Sequence, residues 1–181
     1  GRNRPTFLRA LSRNIQQALS DLGPLEVYKQ TGRLVLALSP NVPGELLESR
    51  LRDVFGVANF ARCETVSHAL PALKRAVSRL LAGRTFGSFR ITSRRAFKEL
   101  PWSSLQLNTI LGTHVLEQHA TRVDLEHPEL TIHVEVIPRV ALVYLDKIPG
   151  AGGLPVDSGG QVLSLLSGGI DSPVASYRMM R

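Results

Sequence analysis

A short run of serine, glycine and aspartate near residue 170 is the part of the sequence best suited to chemistry. It reads Ser167-Gly168-Gly169-Ile170-Asp171-Ser172 and leads into Pro173 and a helical pattern. Glycines let backbone N–H groups approach an anion closely, and serines add hydroxyl donors. Pro173 suits the first turn of a helix, whose N-terminus contributes N–H groups and the positive end of its dipole. The run therefore predicts a loop that binds phosphate.

Two familiar phosphate-binding loops do not match this run. No lysine follows the glycines, as a Walker A loop requires, and the spacing G-x-G-x-x-G of a dinucleotide-binding turn is absent. A serine-glycine loop without a ligand is the alternative. The preceding residues favour a ligand, because residues 162–166 form a short apolar run that is typical of a buried strand. We expect a strand, a phosphate loop and a helix to open a new domain at residue 161.

Positive charge is concentrated in one part of the chain. The 22 lysines and arginines exceed the 15 acidic residues, for a formal net charge of +7. Residues 61–100 hold nine of these cations and two acidic residues. Five cations in this stretch alternate with aromatic residues: Arg84, Arg90, Arg94, Arg95 and Lys98. Because arginine suits bidentate phosphate contacts and aromatic rings stack on unpaired bases, the stretch predicts an RNA-binding surface. A solvated face over a phenylalanine core is the alternative.

Residues 1–66 follow the element order of a ferredoxin-like domain without its first strand. Hydrophobic spacing and turn residues predict, in order, helix 6–21, strands 25–30 and 34–38, helix 43–55 and strand 57–66. The two strands between the helices are joined by a turn that contains Gly32, which predicts a hairpin. One more strand before Gly1 would complete a βαββαβ unit, with two helices on one face of a four-stranded antiparallel sheet.

A second unit begins near residue 67. Its predicted elements are helix 68–82, strand 86–92, a helix that opens at Ser103 with a capping box to Gln106, and a hairpin of strands 130–137 and 140–148. In the first of these strands Phe89 and Arg90 should face opposite ways, because side chains alternate along a strand. After the hairpin, residues 150–160 hold five glycines and a proline, which is typical of a linker or a functional loop.

The run at 167–172 after an apolar segment resembles the PP-loop of ATP pyrophosphatases, which split ATP to AMP and pyrophosphate while adenylating a substrate. The residues before this run indicate one family among the ATP pyrophosphatases. Three stretches are similar to tRNA 4-thiouridine synthetases: Asn3-Arg4-Pro5-Thr6-Phe7, the surroundings of Phe89-Arg90-Ile91, and Lys147-Ile148-Pro149-Gly150-Ala151-Gly152-Gly153-Leu154-Pro155-Val156. In that family a ferredoxin-like domain, a THUMP RNA-binding domain and a PP-loop domain follow one another.

The resemblance implies an α+β fold class. It consists of a ferredoxin-like N-terminal domain lacking its first strand, an α/β THUMP domain, and the first strand, loop and helix of an α/β PP-loop domain. The expected ranges are 1–50 for the first domain, extending to 66 at most, 51–148 for THUMP, 149–160 for a linker and 161–181 for the start of the PP-loop domain. Because the sequence lacks an initial methionine and ends within a helical pattern, we expect a fragment truncated at both ends.

The resemblance also implies a reaction. The parent enzyme would adenylate O4 of the uridine at position eight of tRNA, and a persulfide sulfur would then displace AMP to give 4-thiouridine. The family's ATP site corresponds to Leu165, Leu166, Ser167, Gly168, Gly169, Asp171 and Ser172. Asp171 is expected to be catalytic, orienting ATP and its Mg²⁺, and the THUMP cations are expected to bind the acceptor end of tRNA. The fragment alone should be inactive.

The implied partners are tRNA and a cysteine desulfurase or another persulfide donor, in the cytoplasm. No apolar run approaches the roughly 18 to 20 residues that cross a membrane, so we expect a soluble protein. The histidines show no metal-ligand spacing, and we assign no metal site to them. Two other functions stay open: a THUMP RNA-binding adaptor without catalysis, and another PP-loop ATP-dependent ligase. The sulfur donor, a rhodanese-like domain, a role in thiamine biosynthesis and a homodimer are likewise open.

Overall fold

The computed structural model of the protein describes residues 3–30, 32–39, 41–97 and 99–181. The chain divides into two compact units, of which the first comprises Gly1–Phe60 with Ile148–Arg181 and the second Ala61–Lys147. The second unit is thus one continuous piece of chain inserted between two parts of the first. In the described part of the chain, no helix is long and apolar enough to cross a membrane.

The described residues form five helices and nine strands. In chain order they are α1 (Arg4–Ala18), β1 (Leu25–Gln30), β2 (Arg33–Leu38), α2 (Gly44–Asp53), β3 (Asn59–Phe60), β4 (Cys63–Val66), α3 (Leu70–Leu81), β5 (Ser88–Arg95), α4 (Ser104–Leu116), β6 (Arg122–Val123), β7 (Leu130–Val136), β8 (Ala141–Tyr144), β9 (Ile148–Pro149) and α5 (Asp171–Met180). The mixed α/β class that the sequence predicts is therefore observed.

The first unit is built around two helices and a hairpin. Strands β1 and β2 pair antiparallel, and Gly32 beside their turn has a φ of 85°, a conformation that glycine adopts without strain. Helices α1 and α2 pack with the hairpin around a core of buried residues: Ile15, Leu19, Leu51, Val54 and Val57. The predicted helices and hairpin are confirmed. Thr31, which belongs to the predicted turn, lies outside the described residues.

The predicted strand over residues 57–66 is wrong in its extent. Its first part, β3, pairs with β9 in the first unit, and its second part, β4, pairs with β8 in the second unit. The predicted strand over 140–148 divides in the same way, into β8 and β9. A pattern of alternating residues indicates an extended backbone, but it carries no information on which neighbour supplies the hydrogen bonds.

The second unit is a five-stranded mixed sheet with two helices on one face. The strand order is β4-β8-β7-β5-β6, in which β5 runs parallel to β6 and β7 while the other pairs are antiparallel. The core contains alternate residues of β5 and β7 together with the apolar faces of α3 and α4: Phe89, Ile91, Leu130, Ile132, Val134, Val136, Leu73, Ala76, Val77, Leu81, Leu107, Leu111 and Val115. We call the side that α3 and α4 cover the inner face, and the opposite side the outer face.

Two local predictions for the second unit are confirmed. Helix α4 begins with the predicted capping box, since the Gln106 amide donates to Ser103 Oγ at 3.1 Å and the Ser103 amide donates to Gln106 Oε1 at 2.8 Å. Strands β7 and β8 form the predicted hairpin, and Arg139 in its turn has a φ of 75°. These elements are specified by residues close to one another in the sequence.

The run over residues 162–166, predicted as a buried strand, has no paired strand in the described chain. Its apolar side chains are exposed, Val162 by 63 %, Leu163 by 90 %, Leu165 by 84 % and Leu166 by 70 %. A buried strand needs hydrogen-bonded neighbours at both edges and packing on both faces, and the described chain supplies neither here.

Candidate functional sites

The predicted phosphate loop is a tight turn held by two serines. The Ser167 amide donates to Ser172 Oγ at 2.8 Å, and the two hydroxyls are hydrogen-bonded at 3.0 Å. The Gly169 amide donates to Ser167 Oγ at 3.3 Å. Residues 167 and 172 therefore close the turn, and the two glycines lie on its path between them.

The loop is open to an incoming ligand. A Cβ added to Gly168 would meet no atom within 4 Å, and one added to Gly169 would meet Ser167 Oγ at 3.6 Å. Neither glycine has a left-handed φ, so their contribution is the absence of a side chain rather than an unusual backbone. Asp171 is exposed and is the first residue of α5. The seven predicted ATP-binding residues all lie within the stretch 165–172, which is exposed except for the half-buried Ser172.

The helix that follows the loop is tied to the segment before it. Ser176, which is buried, donates from its hydroxyl to the Ser172 carbonyl at 2.8 Å and is hydrogen-bonded to the hydroxyl of Ser164. Pro173 lies in the first turn of α5, as the sequence predicts. The N-terminal end of α5, with its positive dipole end, thus borders the loop.

Two of the predicted RNA-binding cations share the outer face of the sheet. Arg90 and Arg94 lie four residues apart in β5 and therefore face the same side. Phe89 precedes Arg90, faces the opposite way as predicted, and is fully buried on the inner face. Arg122 of β6 lies opposite Ser88 in the sheet register, which places it on the outer face as well. Arg90 donates to the Leu125 carbonyl at 3.2 Å.

The other three predicted cations do not join this pair. Arg95 follows Arg94 and therefore belongs to the inner side of the strand, where its guanidinium donates to the Leu100 carbonyl at 3.2 Å. Arg84 is exposed in the loop between α3 and β5. Lys98 lies outside the described residues. Strand alternation separates Arg95 from Arg90 and Arg94, but the strand predicted from the sequence ends at residue 92 and does not reach Arg94 or Arg95, whereas β5 extends to Arg95.

A histidine on the outer face has a shifted pKa. His133 of β7 stacks on Tyr144 of β8, with the ring centroids 4.8 Å apart. Burial lowers the pKa of His133 below its usual value, and the positive charges of Lys147 and Arg90 lower it further, against an opposing effect of Asp146. The Tyr144 hydroxyl in turn donates to the buried carboxylate of Glu135 at 2.6 Å. The lowered pKa makes His133 less able to add a positive charge to the outer face.

An open cavity of about 380 Å³ lies beside Arg84. Phe86 and His119 line it, with ring centroids 5.2 Å apart, and Glu129 accepts a hydrogen bond from the Gly87 amide at 2.7 Å. A cation, two ring faces and a carboxylate are groups that can contact a phosphate, a base and an exocyclic amino group. The sequence analysis missed His119 and Glu129, since they come from segments that only the pairing of β5 with β6 and β7 brings to Phe86.

Sequence models of three protein families match the chain. The model described as ThiI ferredoxin-like domain matches residues 1–61, the THUMP domain matches residues 67–146, and the model described as thiamine biosynthesis protein (ThiI) matches residues 157–181. The predicted order of domains is confirmed. The predicted boundaries at 50, 148 and 160 stay a prediction.

Individual relatives agree with these matches. The chain is 42 % identical to a probable tRNA sulfurtransferase of Thermus thermophilus and 38 % identical to one of Moorella thermoacetica, over 100 % of this chain and 44 % and 46 % of theirs. A crystal structure of a 4-thiouridine synthetase in complex with RNA and bound ATP is similar with a TM-score of 0.85 and 34 % identity, over 99 % of this chain and 46 % of that one. The chain therefore spans about half the length of the curated relatives it matches.

Proposed function

Because the chain belongs to the family of tRNA sulfurtransferases with ThiI ferredoxin-like, THUMP and PP-loop domains, we propose that it serves in the ATP-dependent conversion of uridine in tRNA to 4-thiouridine. In this reaction ATP adenylates O4 of the uridine at position eight and releases pyrophosphate, and the terminal sulfur of a persulfide then attacks C4 and displaces AMP. A second thiol cleaves the resulting disulfide and releases 4-thiouridine. A cysteine desulfurase or another persulfide donor supplies the sulfur, in the cytoplasm. The observation that carries the proposal is the open serine-glycine turn at the start of α5.

The turn supplies the groups that a triphosphate needs. Backbone N–H groups at residues 168–170, the hydroxyls of Ser167 and Ser172 and the N-terminus of α5 bind the phosphates of ATP, and the missing side chain at Gly168 leaves them room. The exposed carboxylate of Asp171 is an oxygen ligand of the kind that Mg²⁺ prefers. Leu165 and Leu166 complete the proposed ATP site, in which Mg²⁺ neutralises phosphate charge.

The second unit supplies the proposed RNA surface. Arg90 and Arg94 on the outer face contact phosphates of the acceptor end of tRNA, and Arg84 does so beside the cavity lined by Phe86 and His119. Arg95 and Lys98 stay predictions as RNA contacts. This surface also argues against a PP-loop ligase for a small molecule, which has no need of it.

The test replaces Asp171 in the full-length gene product. Asp171→Ala should reduce 4-thiouridine formation by at least about 100-fold, since the charge that orients ATP and Mg²⁺ is removed, while the Kd for tRNA changes less than about twofold. Asp53→Ala removes an exposed carboxylate at the end of α2 and is the control. Thiolation is measured by mass spectrometry of tRNA nucleosides, and binding by filter retention.

Two outcomes would contradict the proposal. Unchanged 4-thiouridine in the Asp171→Ala variant would remove Asp171 from catalysis. A wild-type protein that binds tRNA but forms no 4-thiouridine with ATP and a persulfide donor would be an RNA-binding adaptor. Asp171 and Asp53 both lie in the first unit, so circular dichroism of the two variants distinguishes a loss of catalysis from a folding defect.

A further inference from the structure

The glycine-rich residues that the sequence predicts as a linker make an ordered contact with the first unit. We call residues 148–157 the return segment. It begins as β9, paired with β3, and continues with three backbone hydrogen bonds: Gly150 N to Ala58 O at 3.1 Å, Gly152 N to Val57 O at 2.8 Å and Gly56 N to Gly152 O at 2.7 Å. The return segment therefore adds a short ladder to the stretch that follows α2.

This contact requires glycine at two positions. A Cβ on Gly150 would lie 2.3 Å from the carbonyl oxygen of Val57, closer than real atoms approach. Gly56 has a φ of 93°, and a Cβ there would lie 2.8 Å from the buried ring of Pro155. Side chains at these positions would separate the two backbones, so the glycines serve close packing rather than flexibility.

Helix α1 holds the far end of the return segment. The Asn14 side-chain amide donates to the Val156 carbonyl at 3.2 Å, and Arg13 pairs with Asp157 at 2.9 Å. The ion pair is exposed on both sides and contributes little to stability by itself. Together with the bond from Asn14, the pair holds residues 156 and 157 against α1, at the start of the exposed stretch that leads to the phosphate loop.

The helix after the phosphate loop is held to the same unit. Tyr177 of α5 contacts Phe55 edge to face, with ring centroids 5.4 Å apart. Such aromatic pairs add about 0.5–1.5 kcal/mol beyond the burial of their area. The phosphate loop thus lies between two attachments to the first unit, the return segment before it and α5 after it.

We infer that the return segment and the Phe55–Tyr177 contact position the phosphate loop on the ferredoxin-like elements. The inference rests on the proposed function, since it takes the loop to bind ATP. Positioning matters because adenylation brings two bound reactants together, and a displacement of about 1 Å can cost about 100-fold in rate. Residues Phe55, Gly56, Gly150 and Tyr177 are positioning residues, and none of them belongs to the proposed ATP site.

The test uses a matched pair of glycines from the same glycine-rich stretch. Gly150→Ala inserts a methyl group against Val57 O, whereas Gly159→Ala inserts one where no atom lies within 4 Å and φ is not left-handed. In the full-length gene product, Gly150→Ala should lower kcat for thiolation about 10-fold or more. The KM for ATP and the Kd for tRNA should each change less than about twofold, and Gly159→Ala should resemble the wild type.

Hydrogen exchange gives a readout that does not depend on activity. The amides of Gly56 and Gly152 should be protected in the wild type and in Gly159→Ala, and should exchange at least about 10-fold faster in Gly150→Ala, since their hydrogen bonds are broken. Slow exchange of these amides together with a lack of thiolation by the wild type would reject the proposed function and leave the attachment intact.

Two variants of Tyr177 test the inference independently, in case Gly150→Ala fails to fold. Tyr177→Phe keeps the ring contact with Phe55 and should retain kcat, whereas Tyr177→Ala should lower it with little change in KM. Tyr28→Ala removes an exposed tyrosine from the hairpin and is the control. Two results would overturn the inference. One is fast hydrogen exchange of the return segment in Gly150→Ala together with a kcat that stays within about twofold of the wild type. The other is an equal loss of kcat in Tyr177→Phe and Tyr177→Ala.

Discussion

Two apolar runs of similar composition differ in burial in the described chain, since one is a central strand and the other is exposed. Strand β7 of the second unit pairs with β5 on one side and β8 on the other, and Ile132, Val134 and Val136 are fully buried. Residues 162–166 of the first unit, which the sequence predicts as a buried strand, are exposed and have no paired strand among the described residues. Apolar composition supplies the driving force for burial, but neighbours decide whether a strand forms.

The same difference separates the two proposed sites. Strands and helices close around one core in the second unit, so Arg90 and Arg94 project from a fixed sheet. In the described chain the phosphate loop follows an exposed apolar run and is flanked by the return segment and α5. The proposed RNA surface therefore lies on a sheet whose core is complete in this chain, and the proposed ATP loop lies on a short segment of the first unit.

The largest expected effect tests the cores directly. Leu111→Ala, at a fully buried position of α4, should lower the free energy of unfolding by about 2–5 kcal/mol, because it removes buried methyl groups and leaves a cavity. Leu165→Ala should change it by less than about 0.5 kcal/mol, since that side chain is exposed. Urea unfolding is followed by circular dichroism and by fluorescence of Trp102, the one tryptophan, which lies in the second unit. Similar losses in both variants would show that residues 162–166 are packed in solution.

An intermediate effect is expected at the RNA surface. A variant with Arg90→Gln and Arg94→Gln should bind tRNA about tenfold more weakly, and its slope of log K against log salt should be smaller by about 0.7–0.9 for each lost phosphate contact. A second variant with Arg52→Gln and Arg75→Gln also removes two cations, both exposed and neither on the outer face, and is the control for net charge. Equal losses in the two double variants would mean that overall charge, and not the outer face, binds RNA.

The smallest expected effect concerns pH. The fold lowers the pKa of His133, so below its usual value of 6.5 the unfolded chain takes up a proton before the folded one. Stability should therefore rise with pH across the window just below 6.5 and level off above it. His133→Gln should flatten this rise in the urea midpoint, whereas His127→Gln, at an exposed position, should keep it. An unchanged pH profile in His133→Gln would contradict the burial of the ring.

Local signals account for most of what the sequence predicts correctly. The capping box at Ser103 and Gln106, the turn at Arg139 and the amphipathic spacing of α1 and α3 are all set by residues a few positions apart. The turn at residues 167–172 is also set locally, since its two serines lie five residues apart and their hydroxyls are hydrogen-bonded to each other, and its binding of phosphate stays a prediction.

The failures come from contacts between distant residues. Nothing near residues 59–66 indicates that β3 and β4 pair with strands some eighty residues later and in different units. The cavity beside Arg84 depends on His119 and Glu129, which parallel pairing brings to Phe86. The glycines of the return segment predict a linker by composition, and only the approach of Gly150 to Val57 distinguishes close packing from flexibility.

The insertion of the second unit into the first has a consequence for synthesis on the ribosome. Helices α1 and α2 and the first hairpin emerge early, but β3 meets its partner β9 after the whole second unit has been made. The second unit is continuous in sequence, so it can close while the chain is still growing, as domains generally do. Of the two units, the one that begins first is therefore completed second. Until β9 has been made, the backbone groups of β3 lack the strand with which they pair.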